Sequence, residues 1–215
     1  MADIFKEVDE DVRRDQAMAL WQRYRWLIVS AVVAIVGGTA GYNIWYEYDT
    51  SQRLDRGERF EAAAHLAKNG NYDAAARAFA KFAEDTGSTY GVLARLREAS
   101  ARAEAGDGKS AVAVYDAIAG SGDGEAALGD LASLLAARTL LDDGFIAEAE
   151  KRLQPLVATV GPWQHLAREM RGVLAVQTGR LDEARSLFKA LGEEAGVPEG
   201  IKRRAGEVLA ALGSQ

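Results

Sequence analysis

The chain contains no cysteine. Disulfides, thiolate-held metals and cysteine nucleophiles are therefore excluded. The compartment stays open, because a cysteine-free chain tolerates oxidising and reducing surroundings alike. Proline occurs only at 155, 162 and 198. Histidine occurs only as His65 and His165, in different parts of the chain. There is no HExxH pair, no Walker loop and no GxGxxG turn. No nucleophile, base and orienting group can be named together, so the chain reads as a non-enzyme with no cofactor and no metal. A basic surplus is also missing: the net charge is -6, and no basic stripe is interleaved with aromatics. Phosphate binding needs clustered Lys and Arg, which argues against nucleic acid as a partner.

What is present divides into three parts: residues 1–25, 26–46 and 47–215. From Trp26 to Tyr46 the sequence runs WLIVSAVVAIVGGTAGYNIWY, without one Asp, Glu, Lys or Arg. A helix needs about 20 mostly apolar residues to cross the hydrocarbon layer. Trp26 stands at one end and Trp45 and Tyr46 at the other, where aromatic rings favour the headgroup level. The expectation is a single transmembrane helix. A buried core helix would need a protein shell, and the run instead precedes a polar, linker-like stretch. A cleaved signal peptide fits poorly, since 25 residues rich in charge come first and an h-region is normally about 7–15 residues. Gly37 and Gly41 share a face of this helix, and such small residues let helices approach closely in lipid; they are candidates for contact with another membrane helix.

Residues 4–25 place Ile4, Phe5, Val8, Val12, Leu20, Trp21 and Tyr24 mostly at three- and four-residue steps, with a polar turn around Asp15 and Gln16. That is a weak amphipathic helix, lying on a membrane face or a partner. A charged, solvated lead-in is the equal alternative.

The remainder repeats itself. Gly, four residues, Ala, three residues and a large apolar residue recur four times: Gly70–Ala75–Phe79, Gly106–Ala111–Tyr115, Gly144–Ala149–Leu153 and Gly179–Ala184–Phe188. The glycines are 36, 38 and 35 residues apart. Each Gly predicts a helix end in left-handed backbone, which is cheap only for glycine. Each Ala gives the following helix a small contact face, and the large residue four later lies on that same face. Twelve positions before the alanines stand Ala63, Ala99, Ala137 and Gly172. Helical runs are predicted over 58–69, 90–105, 125–142 and 163–178, each followed by its partner. Pro155 is expected to kink or shorten the third partner helix. Pro198 is expected to start a polar capping helix reaching Leu212, as an exposed solenoid end requires. The SGDGE stretch from Ser121 to Glu125 reads as an inter-repeat loop rather than an anion site.

This pattern resembles the tetratricopeptide repeat: NGNYDAA and TGRLDEA come close to its turn, with Tyr72 at the turn aromatic position. Other positions depart from it. Gly108 replaces the turn aromatic in the second copy, and Phe82, Ile118, Leu156 and Leu191 stand where the family carries a small residue. The fold expected is all-α: one transmembrane helix, then an α-solenoid of about four helix pairs with a capping helix. A stacked-repeat solenoid offers an extended concave surface for recognition. Tyr72, Tyr90, Phe145 and Trp163 are the aromatic candidates for partner contact.

The layout as a whole, opening with MADIFKEVDEDVRRDQAMALWQRYRWLI, resembles the YfgM-like tetratricopeptide family of ancillary Sec translocon subunits in the bacterial inner membrane. The resemblance implies a periplasmic repeat domain. It also implies contact with the translocon, with a membrane-anchored periplasmic chaperone of the peptidyl-prolyl isomerase type, and with newly exported client proteins. The alternative function is a repeat scaffold for another envelope complex, in division or outer-membrane assembly.

Orientation is testable directly. Arg23 and Arg25 precede the uncharged run, whereas Glu47 and Asp49 follow it and the first base beyond is Arg53. Positive residues stay on the cytoplasmic side. A reporter active only in the cytoplasm, fused after Gln215, is expected to be silent; an active fusion reverses the orientation.

Overall fold

Glycine sets the turn from which this fold is built. Gly70, Gly106, Gly144 and Gly179 have φ of 77°, 86°, 82° and 73°, a region closed to most residues with a Cβ. At the first of these turns the Gly70 amide donates to the Ala67 carbonyl at 3.0 Å, and the Asn71 amide to the Leu66 carbonyl at 2.9 Å. The same pair of bonds recurs from Gly106 and Asp107, Gly144 and Phe145, and Gly179 and Arg180, at 2.7–3.1 Å. This is the Schellman closure, which satisfies carbonyls that a helix end leaves free. The residue after each glycine then starts the next helix: the Asn71, Asp107, Phe145 and Arg180 carbonyls accept from the amides of Ala75, Ala111, Ala149 and Ala184. One helix therefore stops and the next begins within three residues, four times over.

The computed structural model describes residues 3–87, 89–121 and 126–213; side chains are not described for 3–17, 19, 20, 22, 24, 28, 29, 31–33, 49, 51 and 52. The described residues form α1 (Asp3–Lys68), α2 (Tyr72–Thr86), α3 (Thr89–Glu104), α4 (Gly108–Ser121), α5 (Ala126–Asp142), α6 (Ile146–Ala158), α7 (Gln164–Gln177), α8 (Leu181–Glu193) and α9 (Glu199–Gly213). No strand occurs among them. The SGDGE segment lies outside the described residues except for Ser121, which ends α4.

The N-terminal part departs from the sequence reading at two places. Neither a turn at Asp15 and Gln16 nor a linker after Tyr46 interrupts α1, which is helical from Asp3 to Lys68. The reason is local: no proline occurs before Pro155, and no glycine before Gly37, so nothing in these stretches opposes a helix strongly. Among the described residues, no helix is long and apolar enough to cross a membrane. The 26–46 run falls partly outside them, since the side chains of 28, 29 and 31–33 are not described.

Two units divide the chain, Met1–Arg56 and Gly57–Gln215. In the first, the described large apolar side chains are exposed, with Trp26 at 72% and Ile44 at 70%. The second unit begins at Gly57, and among the described residues of 47–56 no side chain is buried.

Within the second unit the core is a chain of three clusters. Ala63, Ala75, Phe79 and Phe82 form the first; Phe60 meets Phe79 and Phe82 edge-on at 5.2 and 5.6 Å. Leu96, Tyr115, Ile118, Leu134, Leu153 and Leu156 belong to the large central one. Phe188, Leu191, Val197 and Ile201 belong to the last, and Leu166 packs on both of these. Phe82, Ile118, Leu156 and Leu191 are all buried, so the large residues at the family's small position fill space between repeats. Pro155 lies in the last turn of α6, which continues to Ala158. It shortens α6 little, since α8 has the same 13 residues. The Pro198 carbonyl accepts from the Ile201 and Lys202 amides at 2.9 and 3.1 Å and so opens α9; proline suits a helix start because its missing N–H has no partner there.

The signature alanines Ala75, Ala111, Ala149 and Ala184 have no exposed surface, nor do Ala63, Ala99 and Ala137. At Gly172 even a methyl group is too much: it would lie 2.7 Å from Phe188 Cζ and 2.9 Å from Cε2, and Phe188 is fully buried. Gly192, in α8, has open space around it. Replacing a helical glycine by alanine gains roughly 0.5–1 kcal/mol from backbone entropy, whereas overpacking costs about 1–3 kcal/mol. Gly192→Ala is therefore expected to raise the melting temperature of the repeat unit and Gly172→Ala to lower it. Thermal unfolding followed by circular dichroism measures both signs.

Candidate functional site

Two layers of helices make the repeat unit. In the odd-numbered layer α3 touches α5, α5 touches α7 and α7 touches α9. No comparable contact of backbones joins α2, α4, α6 and α8 among the described residues. A stack whose one layer touches from repeat to repeat while the other stands apart must turn toward the touching layer. The odd helices therefore line the inside of the curve. Long side chains bridge the wider gap on the outside. Arg152 of α6 holds Asp116 of α4 through two hydrogen bonds of 3.0 and 2.6 Å. Arg180, ahead of α8, holds Glu150 of α6 at 3.0 Å.

Taking the small residue of each odd helix as origin, the positions six before, two before, one after and five after lie on one helical face. They are Leu93, Arg97, Ser100 and Glu104 on α3; Leu131, Leu135, Arg138 and Asp142 on α5; and Leu166, Met170, Val173 and Gln177 on α7. None is buried. Over 57–68 the same positions are Gly57, Glu61, Ala64 and Lys68. An apolar band thus crosses the inner face at Leu93, Leu131, Leu135, Leu166, Met170 and Val173, with polar residues along one edge.

A cavity of about 290 Å³ opens between the first two of these lines. Phe60, Ala67, Phe79 and Ala101 give it apolar walls, and Lys68, Tyr72, Arg97, Ser100 and Glu104 supply polar groups. Ser100 is also bonded to the Tyr115 hydroxyl; burial pushes that phenol up, and the Ser100 hydrogen bond opposes the shift. Among the described residues no cluster of three or more His, Asp or Glu is placed to hold a metal ion.

Of the four aromatic candidates, the structure brings only Tyr72 to this cavity. Tyr90 and Phe145 are exposed, at 67% and 55%, one in the first turn of α3 and one at the glycine turn before α6. Trp163 is half-buried against the central core, and its indole Nε1–H donates to the Ala127 carbonyl at 2.6 Å. It ties the start of α7 to the start of α5 and is a packing residue. Gly37 and Gly41 have nothing within 4 Å of their Cβ directions. The signature residues are split between turn and core, as described above, and none of them except Phe79 lines the cavity. Arg97, Lys68 and Glu104 are cavity residues that the aromatic search passes over. Counting from the small residue along each odd helix is the sequence signal that finds them.

Two buried carboxylates were also invisible in the pattern. Glu98 receives Arg102 Nη2 at 2.6 Å. Glu169 receives Arg204 of α9 through both oxygens, at 2.5 and 2.7 Å. A buried carboxylate is tolerated only with such partners, so the second pair fixes α9 against α7.

Removing one hydrogen bond nets roughly 0.5–1.5 kcal/mol, and surface changes stay within about 0.5 kcal/mol. Trp163→Phe is therefore expected to lower stability by about 1 kcal/mol and Tyr90→Ser to leave it unchanged. Chemical denaturation of the two variants separates the tether from the exposed ring.

A family model for a tetratricopeptide repeat-like domain matches residues 19–200. No curated protein and no solved structure matches the chain.

Proposed function

Because the chain belongs to the tetratricopeptide repeat-like domain family, we propose that it is a membrane-anchored accessory factor of the Sec translocon whose repeat unit recognises protein partners through its inner face. The repeat unit is a protein-interaction scaffold. The observation that carries the reading is the apolar band from Leu93 to Val173 across the odd helices, half-buried or exposed in every repeat it crosses. Leu93 and Val173 are exposed at 38% and 40%, and Leu131, Leu135, Leu166 and Met170 are half-buried against the core; a stacked-repeat solenoid uses such a concave surface for recognition.

In this reading residues 26–46 span the bacterial inner membrane, 1–25 stay in the cytoplasm and the repeats lie in the periplasm. The absence of charge over 21 residues supports the span. Its described side chains support it too: Leu27, Ile35, Val36 and Ile44 point into solvent around a single helix, which lipid would relieve at roughly 25 cal/mol per Å². The serine and threonine hydroxyls within the run bond to the helix's own backbone, Ser30 to the Leu27 carbonyl and Thr39 to those of Ile35 and Val36, which suits a low-dielectric surrounding. The family match begins at residue 19, so it takes in the run. The partners in this reading are the translocon, a periplasmic chaperone of the peptidyl-prolyl isomerase type and exported clients; the span raises their local concentration by sharing a membrane with them.

Affinity purification of the full chain from mild detergent is expected to recover translocon subunits and that chaperone. Recovery of division or outer-membrane assembly proteins instead replaces this reading with a scaffold of another envelope complex. Exchanging residues 26–46 for an unrelated single span is expected to preserve crosslinking to the periplasmic partner and weaken only the translocon contact. Val173→Glu, at an exposed position of the inner face, is expected to do the reverse. Loss of both contacts in the span exchange moves specificity to the face of Gly37 and Gly41.

A further inference from the structure

The two ends of the uncharged run in α1 differ in chemistry. Glu47 and Asp49 follow Tyr46, whereas Arg23 and Arg25 precede Trp26, and residues 16–46 contain no Asp or Glu. On a helix a side chain meets those three and four positions away, so neither arginine has an acid within reach along α1. The nearest, Asp15, is eight residues from Arg23, roughly 12 Å along the axis. Both arginines are exposed, and so is Trp26, at 72%. Arg23 stands three residues before Trp26, on the same side of the helix. Arg25 leans to that side as well: its guanidinium carbon lies 5.8 Å from the centre of the Trp26 ring. Two cations thus flank one indole. A guanidinium held over a ring uses its face, and its N–H edge keeps the fork that fits two oxygens of a phosphate. Trp21 is also exposed, at 61%, but lies roughly 140° round the helix from Trp26.

We propose that Arg23, Arg25 and Trp26 form a binding site for the headgroup of an anionic phospholipid. The proposal rests on the reading of residues 26–46 as a membrane span, and it adds the lipid that the cytoplasmic leaflet presents to that span. Trp26 opens the span, so the indole and both guanidinium groups stand where hydrocarbon gives way to headgroups. The lipid phosphate lies at the same level. The two guanidinium groups donate to its oxygens from either side of the ring, and the acyl chains run down the helix past Leu27, exposed at 66%. An anionic lipid is preferred to a zwitterionic one for an electrostatic reason. In a zwitterionic headgroup the ammonium already neutralises the phosphate, whereas in phosphatidylglycerol the phosphate has no internal counter-charge. The opposite end of the run offers aromatic rings too, but there Glu47 and Asp49 repel such a headgroup. Two exposed arginines make no enclosed cradle for a soluble anion, so the occupant is a lipid, whose acyl chains supply the rest of the binding.

The test uses the full chain in mild detergent with an equimolar mixture of phosphatidylglycerol and phosphatidylcholine of the same acyl chains. Native mass spectrometry reads how much of each lipid is retained. Phosphatidylglycerol is expected to be favoured about fivefold or more, the worth of one arginine near an anionic surface. The double variant Arg23→Gln, Arg25→Gln is expected to retain the two lipids equally. Trp26→Leu is expected to reduce the preference and Trp21→Leu to leave it. Arg77→Gln with Lys81→Gln removes the same charge from exposed positions of α2 and is expected to leave it too; melting curves of all variants confirm the fold. Equal retention of the two lipids by the native chain overturns the proposal. So does a native preference in the Arg23, Arg25 variant, or an equal loss in the Arg77, Lys81 variant. Loss of the preference when inorganic phosphate is added assigns the site to a soluble anion and overturns it as well. Carbonate extraction of membranes tests the span separately. Release of the native chain by carbonate overturns the span reading itself, whereas a chain that stays embedded and shows no lipid preference keeps the span and loses the lipid site.

Discussion

The close crossing of paired helices at small residues is the constraint on which the repeat unit depends. Ala63 and Ala75, Ala99 and Ala111, Ala137 and Ala149, and Gly172 and Ala184 occupy these crossings, and the alanines among them have no exposed surface. With nothing beyond a methyl group at the crossing, two helices lie close enough for a three-residue glycine turn to join them. The large residue four positions later then reaches past the crossing. Phe79, Tyr115, Leu153 and Phe188 are consequently buried to 2% or less. At Gly172 the tolerance is tightest, because the Phe188 ring occupies the space a methyl would need. Stability in such a stack is a sum of repeat and neighbour terms, so a disturbance at one crossing weakens one link of the core rather than dissolving the whole.

Electrostatics does different work on the two layers. On the outside, where helices stand apart, Arg152 and Arg180 reach across to the carboxylates of the preceding even helix. These pairs are part-exposed, and exposed pairs contribute modestly, about 0–1 kcal/mol each; their main effect is to set the spacing of the outer layer. The Glu169–Arg204 pair is different, because Glu169 is buried and the guanidinium meets both its oxygens. Without Arg204 a carboxylate would remain unpaired in the interior, so α9 is more than a polar lid.

Much of the architecture was legible in the sequence because it depends on local signals. A glycine at a fixed distance from an alanine and an aromatic encodes a turn and a helix start within about ten residues, and the four copies place eight of the helix termini within a few positions. Overestimates came from reading local polarity as structure. Asp15 and Gln16 suggested a turn and the stretch after Tyr46 a linker, yet α1 passes through both, since polar residues without glycine or proline carry no instruction to stop a helix. Aromatic character alone does not say where a ring sits: Trp163 is held by the Ala127 carbonyl, whereas Tyr90 and Phe145 are exposed.

The sequence by itself determined the helix pairs, their order, the glycine turns, the small-residue crossings and the capping helix, all of which follow from spacings shorter than one repeat. Tertiary structure decided which layer is inner and which aromatic meets the cavity. Those outcomes depend on side chains roughly one repeat apart meeting across the stack, as Trp163 meets Ala127 and Arg204 meets Glu169. Such distances are fixed by packing of the whole core, and no single segment of the chain encodes them.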